Sequence, residues 1–123
     1  MKVLVIEDDP TDRKLVVAVL QMNGHIVRES MSAEAALDAI AVEKPDVILL
    51  DLRLPGMDGL TLIRQLKAKA GTSQIPVVAV TAYPERYRRE ELLAAGCEAC
   101  IVKPIDTREL GRQLEDAVEE KSQ

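Results

Sequence analysis

The stretch "VILLDLRLPGMDG", residues 47–59, decides how this chain is read. Four apolar residues, Val47 to Leu50, run straight into a carboxylate, Asp51. Pro55, Gly56 and Gly59 follow within eight positions. A short, continuous apolar run closed by turn residues is the pattern of a buried strand, whereas an amphipathic helix would repeat near 3.6. The question is what a charged side chain does at the end of such a strand.

Outward from that strand the chain alternates. Strands are read at 2–6, 26–29, 46–51, 75–81 and 99–103, and helices at 10–22, 32–43, 59–69, 84–95 and 106–120. The strand runs are short and unbroken. The helices repeat their apolar residues near 3.6, as with Leu62, Ile63 and Leu66, or Leu110, Leu114, Ala117 and Val118. Asp9-Pro10 reads as an N-cap followed by proline at the first helical position. Asp106 and Glu109 have the spacing of a capping box. Gly24, Gly71 and Gly96 each follow a helix, where a left-handed residue is expected. Five strands alternating with five helices predict an α/β, flavodoxin-like, doubly wound parallel sheet with strand order 2-1-3-4-5.

The composition agrees. The 123 residues suit one domain spanning 1–123. The apolar fraction is 47 % and the only aromatics are Tyr83 and Tyr87, so the core must be aliphatic, as in sheets covered on both faces. A net charge of −5 gives no drive toward phosphate backbones or anionic membranes, so neither nucleic acid nor membrane is an expected partner. "MKVLVIEDD" lacks the ~7–15 apolar residues of a secretory segment, and no run nears the ~20 of a membrane span. A cytoplasmic location is expected.

In open parallel sheets the functional crevice lies at the carboxyl ends of the strands. Strand 1 ends in Glu7 and Asp8, strand 3 in Asp51, strand 4 in Thr81 and strand 5 in Lys103. Each has an ordinary reading: a solvated acidic loop, a turn residue, a packed hydroxyl, a surface lysine. At four ends of one sheet, the functional reading is the stronger. Asp9, with proline behind it, is read as a cap.

These pieces carry a resemblance. "VLVIEDD" (3–9), "DVILLDLRLPGMDG" (46–59), "PVVAVTA" (76–82) and "GCEACIVKP" (96–104), in this order and spacing, resemble the receiver domain of two-component response regulators over essentially the whole chain. The resemblance implies that Asp51 is the phosphoacceptor and that Glu7 and Asp8 hold a divalent metal together with Asp51. The backbone carbonyl of Arg53 would be a further ligand. Thr81 would be the switch hydroxyl and Lys103 the phosphate-binding lysine. The phosphoryl donor would be a histidine kinase or a histidine phosphotransfer protein, docking beside helix 1. A downstream protein would read the face formed by helix 4, strand 5 and helix 5, which includes Tyr87, Arg88 and Cys100.

The residue types suit that chemistry. Clustered carboxylates repel, and a divalent cation removes the conflict. All-oxygen ligands favour Mg²⁺ or Mn²⁺ over zinc. His25, the single histidine, follows Gly24 with no acidic motif around it and reads as a loop residue, so the donor must lie on another chain. Cys97 and Cys100 form a C-x-x-C that runs into a strand rather than opening a helix, and they are read as packing residues rather than a redox pair. Cys100 stands where many receivers carry an aromatic that changes rotamer. The switch is therefore expected to work through the loop after Thr81 and helix 4, with Tyr83 a candidate participant. Arg53 and Tyr83 flank the acceptor and are candidates for setting phosphoryl lifetime.

Met1 begins almost at strand 1 and the chain ends just after helix 5, which reads as a stand-alone receiver. A receiver excised from a larger regulator or hybrid kinase would look the same. From another class, an aspartyl-phosphate phosphatase of the haloacid dehalogenase type would need a second Asp where Arg53 stands. A flavodoxin-like FMN carrier would need a hydroxyl-rich loop after strand 1 and ring-stacking aromatics.

Overall fold

The computed structural model describes residues 1–82 and 88–122. Five strands, β1 (Lys2–Ile6), β2 (Ile26–Ser30), β3 (Val47–Asp51), β4 (Val77–Thr81) and β5 (Ala99–Val102), form one parallel sheet in the order β2-β1-β3-β4-β5. Between and after them run α1 (Pro10–Met22), α2 (Ala33–Val42), α3 (Gly59–Ala68), α4 (Arg89–Ala95) and α5 (Leu110–Ser122). This is the expected doubly wound fold.

Successive side chains of a strand point to opposite faces, so each central strand feeds two cores. Leu4, Ile6, Ile48, Leu50, Val77 and Ala79 face one way and pack with Ala36, Ile40, Leu62, Leu66 and Leu92 from α2, α3 and α4. Val3, Val5, Val47, Leu49, Val78 and Val80 face the other way and meet Val16, Leu20, Leu110 and Leu114 from α1 and α5. All five residues of β3 are buried, Asp51 among them. The unbroken apolar run from Val47 is thus the signature of a strand covered on both sides.

Several boundaries differ from expectation. β4 starts at Val77 rather than 75, because Pro76 has no amide to donate to the ladder. Its carbonyl still accepts from the Ile48 amide at 2.9 Å. Asp106 does cap a turn, accepting the Arg108 amide on its side chain at 3.0 Å, but regular α5 begins only at Leu110. Gly24 and Gly96 take the left-handed conformation with φ of +88° and +117°, whereas Gly71 does not. The segment after α3 leaves the helix through an extended Lys69 instead. Helix 4 was expected from 84; residues 84–87 lie outside the described residues, and Arg88 is extended, so the helix begins at Arg89. Among the described residues no helix is long and apolar enough to cross a membrane.

Candidate functional site

Sheet register brings the acids together. Ile6 pairs with Leu50, so the next residues, Glu7 and Asp51, arrive side by side. The Glu7 amide donates to the Ser30 carbonyl at 3.0 Å, and the Leu52 amide to Val80 at 3.0 Å, so each strand stays tied as it leaves the sheet. Asp9 then caps α1, accepting the Thr11 amide at 3.2 Å, with Pro10 starting the helix. The chain turns away directly after the acidic pair.

A cleft of about 450 Å³ opens at these strand ends, and Glu7, Asp8, Asp12, Asp51, Arg53 and Lys103 are in its wall. Glu7, Asp51 and Thr81 are buried polar residues, at 5 %, 7 % and 4 % exposure. A larger depression of about 560 Å³ lies at the opposite end of the sheet, between Met1, Asp46 and Lys121, where the strands begin. The chemistry, not the size, marks the smaller cleft.

Lys103 sits at its centre. Its ammonium donates to Asp51 Oδ2 at 2.7 Å, to Glu7 Oε1 at 3.0 Å and to Asp12 Oδ2 at 3.0 Å. Burial works to lower its pKa, but the hydrogen bonds it donates to Asp51, Asp12 and Glu7 outweigh that and hold it above the ordinary value. Glu7 moves the other way. Burial first, and then the adjoining Asp51, push its carboxyl up to about 7 against the pull of Lys103. In the metal-free protein, one ammonium and one reluctant acid thus balance the cluster.

Of the residues singled out from sequence, Glu7, Asp51 and Lys103 are in direct contact. Asp8 and Arg53 join them in the cleft wall, and the Arg53 amide donates to Asp51 Oδ1 at 2.8 Å. Thr81 stands one residue back: Ala82 forms the wall at that strand end, while the Thr81 carbonyl accepts the Lys103 amide at 2.8 Å. Tyr83 and Tyr87 lie outside the described residues. His25 is at the far end, its Nδ1 3.1 Å from the Met1 amine. Cys97 is packed in the α2–α4 core, where burial pushes its thiol up to about 12. Such a thiol is a poor nucleophile, as its packing reading requires.

Sequence reasoning passed over Asp12. It lies in the first turn of α1, past the Asp9 cap, and only the fold brings it to Lys103. It also passed over Arg13, whose Nη1 donates to the carbonyls of Glu7 at 3.0 Å and Asp8 at 3.3 Å.

The donor set fits a hard divalent cation: carboxylates and a backbone carbonyl, with no soft ligand in the cleft wall. Among the described residues no three acids are spaced, as they stand, to hold a metal ion between them. The reason is local: the Lys103 ammonium itself bridges Glu7 and Asp51. An entering cation would take over part of that ammonium's role.

The model of the response regulator receiver domain family matches residues 3–115. The phosphate regulon transcriptional regulatory protein PhoB of Klebsiella pneumoniae is 39 % identical over 109 residues, covering 89 % of this chain and 48 % of PhoB. The chain therefore spans about half the length of that relative. A candidate response regulator from Chloroflexus aurantiacus J-10-fl superposes with a TM-score of 0.90 at 29 % identity, covering 96 % of this chain and 97 % of the other. The receiver domain of sensor histidine kinase PA1611 from Pseudomonas aeruginosa PAO1 gives 0.87 at 30 % identity, again over 96 % and 97 %. That structure has a magnesium ion coordinated in its active site cleft.

Proposed function

The chain belongs to the response regulator receiver domain family of two-component systems, and within that family we propose that it is a phosphorylation-operated switch whose phosphoacceptor is Asp51. One observation carries the reading: Asp51 is the buried carboxylate at the end of the central strand, 2.7 Å from the Lys103 ammonium and beside Glu7.

The acceptor step is a nucleophilic displacement. An Asp51 carboxylate oxygen attacks the phosphorus of a phosphohistidine on a histidine kinase or histidine phosphotransfer protein. The new O–P bond forms as the P–N bond breaks, and the electron pair leaves with the imidazole, which takes up a proton. Lys103 stays within reach and offsets charge on the phosphoryl oxygens. Thr81 donates its hydroxyl to one of them, drawing the following loop inward. Glu7, Asp8, Asp51 and the Arg53 carbonyl would hold Mg²⁺ (or Mn²⁺), which would supply neutralisation of the transferring charge. Water later attacks the phosphorus, breaks the O–P bond and restores the carboxylate. The protein is thus a switch that undergoes its own phosphorylation and slow dephosphorylation, not a turnover enzyme.

An apolar groove of about 400 Å³ beside the cleft, between Leu15 and Val16 of α1 and Pro104 and Ile105, supports docking of the donor's helices there. Leu15 is half exposed at its rim. The signal leaves through α4, β5 and α5 toward a downstream protein.

The test is intact-mass spectrometry after incubation with acetyl phosphate and Mg²⁺. The wild-type protein should gain one adduct of about 80 Da, the mass of one phosphoryl group. Asp51→Asn should gain none. Equal labelling of that variant would move the chemistry to another residue.

A further inference from the structure

Arg13 lies in the second turn of α1 with a side chain only 14 % exposed. Its Nη1 donates to the Glu7 carbonyl at 3.0 Å and to the Asp8 carbonyl at 3.3 Å. On its other side, Nε donates to Glu29 Oε1 on the edge strand β2 at 3.1 Å. A guanidinium is planar and its donors point in fixed directions, so three acceptors around it hold each other in place.

The geometry has a specific consequence for Asp8. A peptide unit is planar, so fixing a carbonyl fixes the whole unit. The Glu7 carbonyl belongs to the unit before the Asp8 Cα, and the Asp8 carbonyl to the unit after it. Pinning both sets the direction of the Asp8 Cα–Cβ bond. Asp8 is exposed, so packing does little to aim its carboxylate. Glu7, in contrast, is buried and bonded to Lys103 through its own side chain.

We infer that Arg13 is a positioning residue for the cation site: it aims the Asp8 carboxylate by gripping the carbonyls on either side, with Glu29 of β2 as its anchor. This rests on the reading of Glu7 and Asp8 as cation ligands. Residues that orient metal ligands typically contribute ~10–100-fold in affinity. The sign of the effect separates this role from charge alone. Removing a cation near a cation site should tighten binding if only charge mattered. Loss of aim weakens it.

Calorimetric titration of the metal-free protein with Mg²⁺ and Mn²⁺ tests this, using Arg13→Gln, Arg13→Lys, Glu29→Gln and Asp8→Asn. Arg13→Gln should bind about tenfold more weakly. Arg13→Lys keeps the charge but loses the fork and should weaken binding several-fold. Glu29→Gln, a surface change that leaves the loop intact and guards against a folding defect in the Arg13 variants, should weaken it too; loss of its negative charge acts in the same direction, so the sign is read from Arg13→Gln. Thermal midpoints without metal run in parallel: a purely structural role lowers the midpoint yet leaves the affinity of folded protein unchanged. Binding in Arg13→Gln and Glu29→Gln as tight as, or tighter than, wild type overturns the inference, provided Asp8→Asn loses binding. Wild-type affinity in Asp8→Asn removes the cation reading itself, and the inference with it.

Discussion

Helices α3 and α4 pack on the same face of the sheet, and they follow the strands that end in Asp51 and Thr81. α3 buries Gly59, Leu62, Ile63 and Leu66 within ten residues, and its Asp58 cap accepts the Thr61 amide at 2.8 Å. Its first residue presses so closely on β3's exit that a Cβ on Gly59 would lie 2.6 Å from the Leu52 Cα. α4 buries only Leu92 in seven residues and has no side-chain cap at Arg88. Leu93 is 40 % exposed. Its far end is the firm one: Gly96, left-handed, closes the helix with a Cβ position 2.6 Å from Lys67 Cγ of α3. The element behind the acceptor is therefore packed along its length, and the one behind Thr81 is closed at its C-terminus and buries a single side chain. Local stability follows buried apolar contacts, so a pull on Thr81 should move α4 before it moves α3.

The largest effect should come from emptying the fixed side. Leu62→Ala should cost about 3–5 kcal/mol, because the cavity lies in a core that cannot easily collapse. Leu93→Ala on α4 should stay within about 0.5 kcal/mol. Urea melts of the two variants measure the contrast directly, and similar losses would erase it.

Glu7 probes the charge held at the fixed end. Its folded pKa, about 7, lies above the ordinary 4.5, so the folded state holds this proton more tightly than the unfolded chain. Below pH 4.5 both states are protonated and nothing is gained or lost. Between 4.5 and 7 the unfolded chain ionises first, and metal-free stability falls as pH rises. Glu7→Gln should therefore gain on wild type across that window, by about 1–3 kcal/mol at pH 8. Thermal midpoints at pH 4.5 and 8 check it, and a constant difference across pH would contradict the raised pKa.

Hydrogen exchange tests the light side. In the beryllofluoride-bound protein, exchange within residues 81–95 should change roughly tenfold, about 1.4 kcal/mol in local opening, while α3 stays unaltered. Thr81→Ala should abolish the change. Changes confined to α2, or surviving in Thr81→Ala, would place the moving part elsewhere.

The smallest effect comes from making α4 more like α3. Arg88→Asp supplies the missing N-cap acceptor and should stabilise α4 by about 0.5–1 kcal/mol. Exchange in residues 89–95 should slow in the free protein, and the response to beryllofluoride should shrink. An unchanged response would mean that the uncapped start of α4 does not limit the switch.

How the sheet and its acids were legible, and how Arg13 was not, follows from the range of the forces involved. An unbroken apolar run such as 47–50, or a 3.6-residue repeat such as Leu62–Leu66, is written in neighbouring positions, and burial on two faces or one reads it out directly. The alternation of those runs predicts the strand order and, with it, that Glu7, Asp8, Asp51, Thr81 and Lys103 lie at the carboxyl edge of one sheet. Local sequence was a poorer guide to where helices begin and end. The Asp106 cap is present, yet the chain makes a turn before α5, and Gly71 follows a helix without closing it left-handed. Only the tertiary structure decided which acids share Lys103, because its partners Glu7, Asp51 and Asp12 lie 96, 52 and 91 residues away. The same holds for Arg13. Nothing in "DDPTDR" tells a guanidinium to turn back on the loop before it, until β2 is laid alongside β1 and Glu29 comes within 3.1 Å to hold it there.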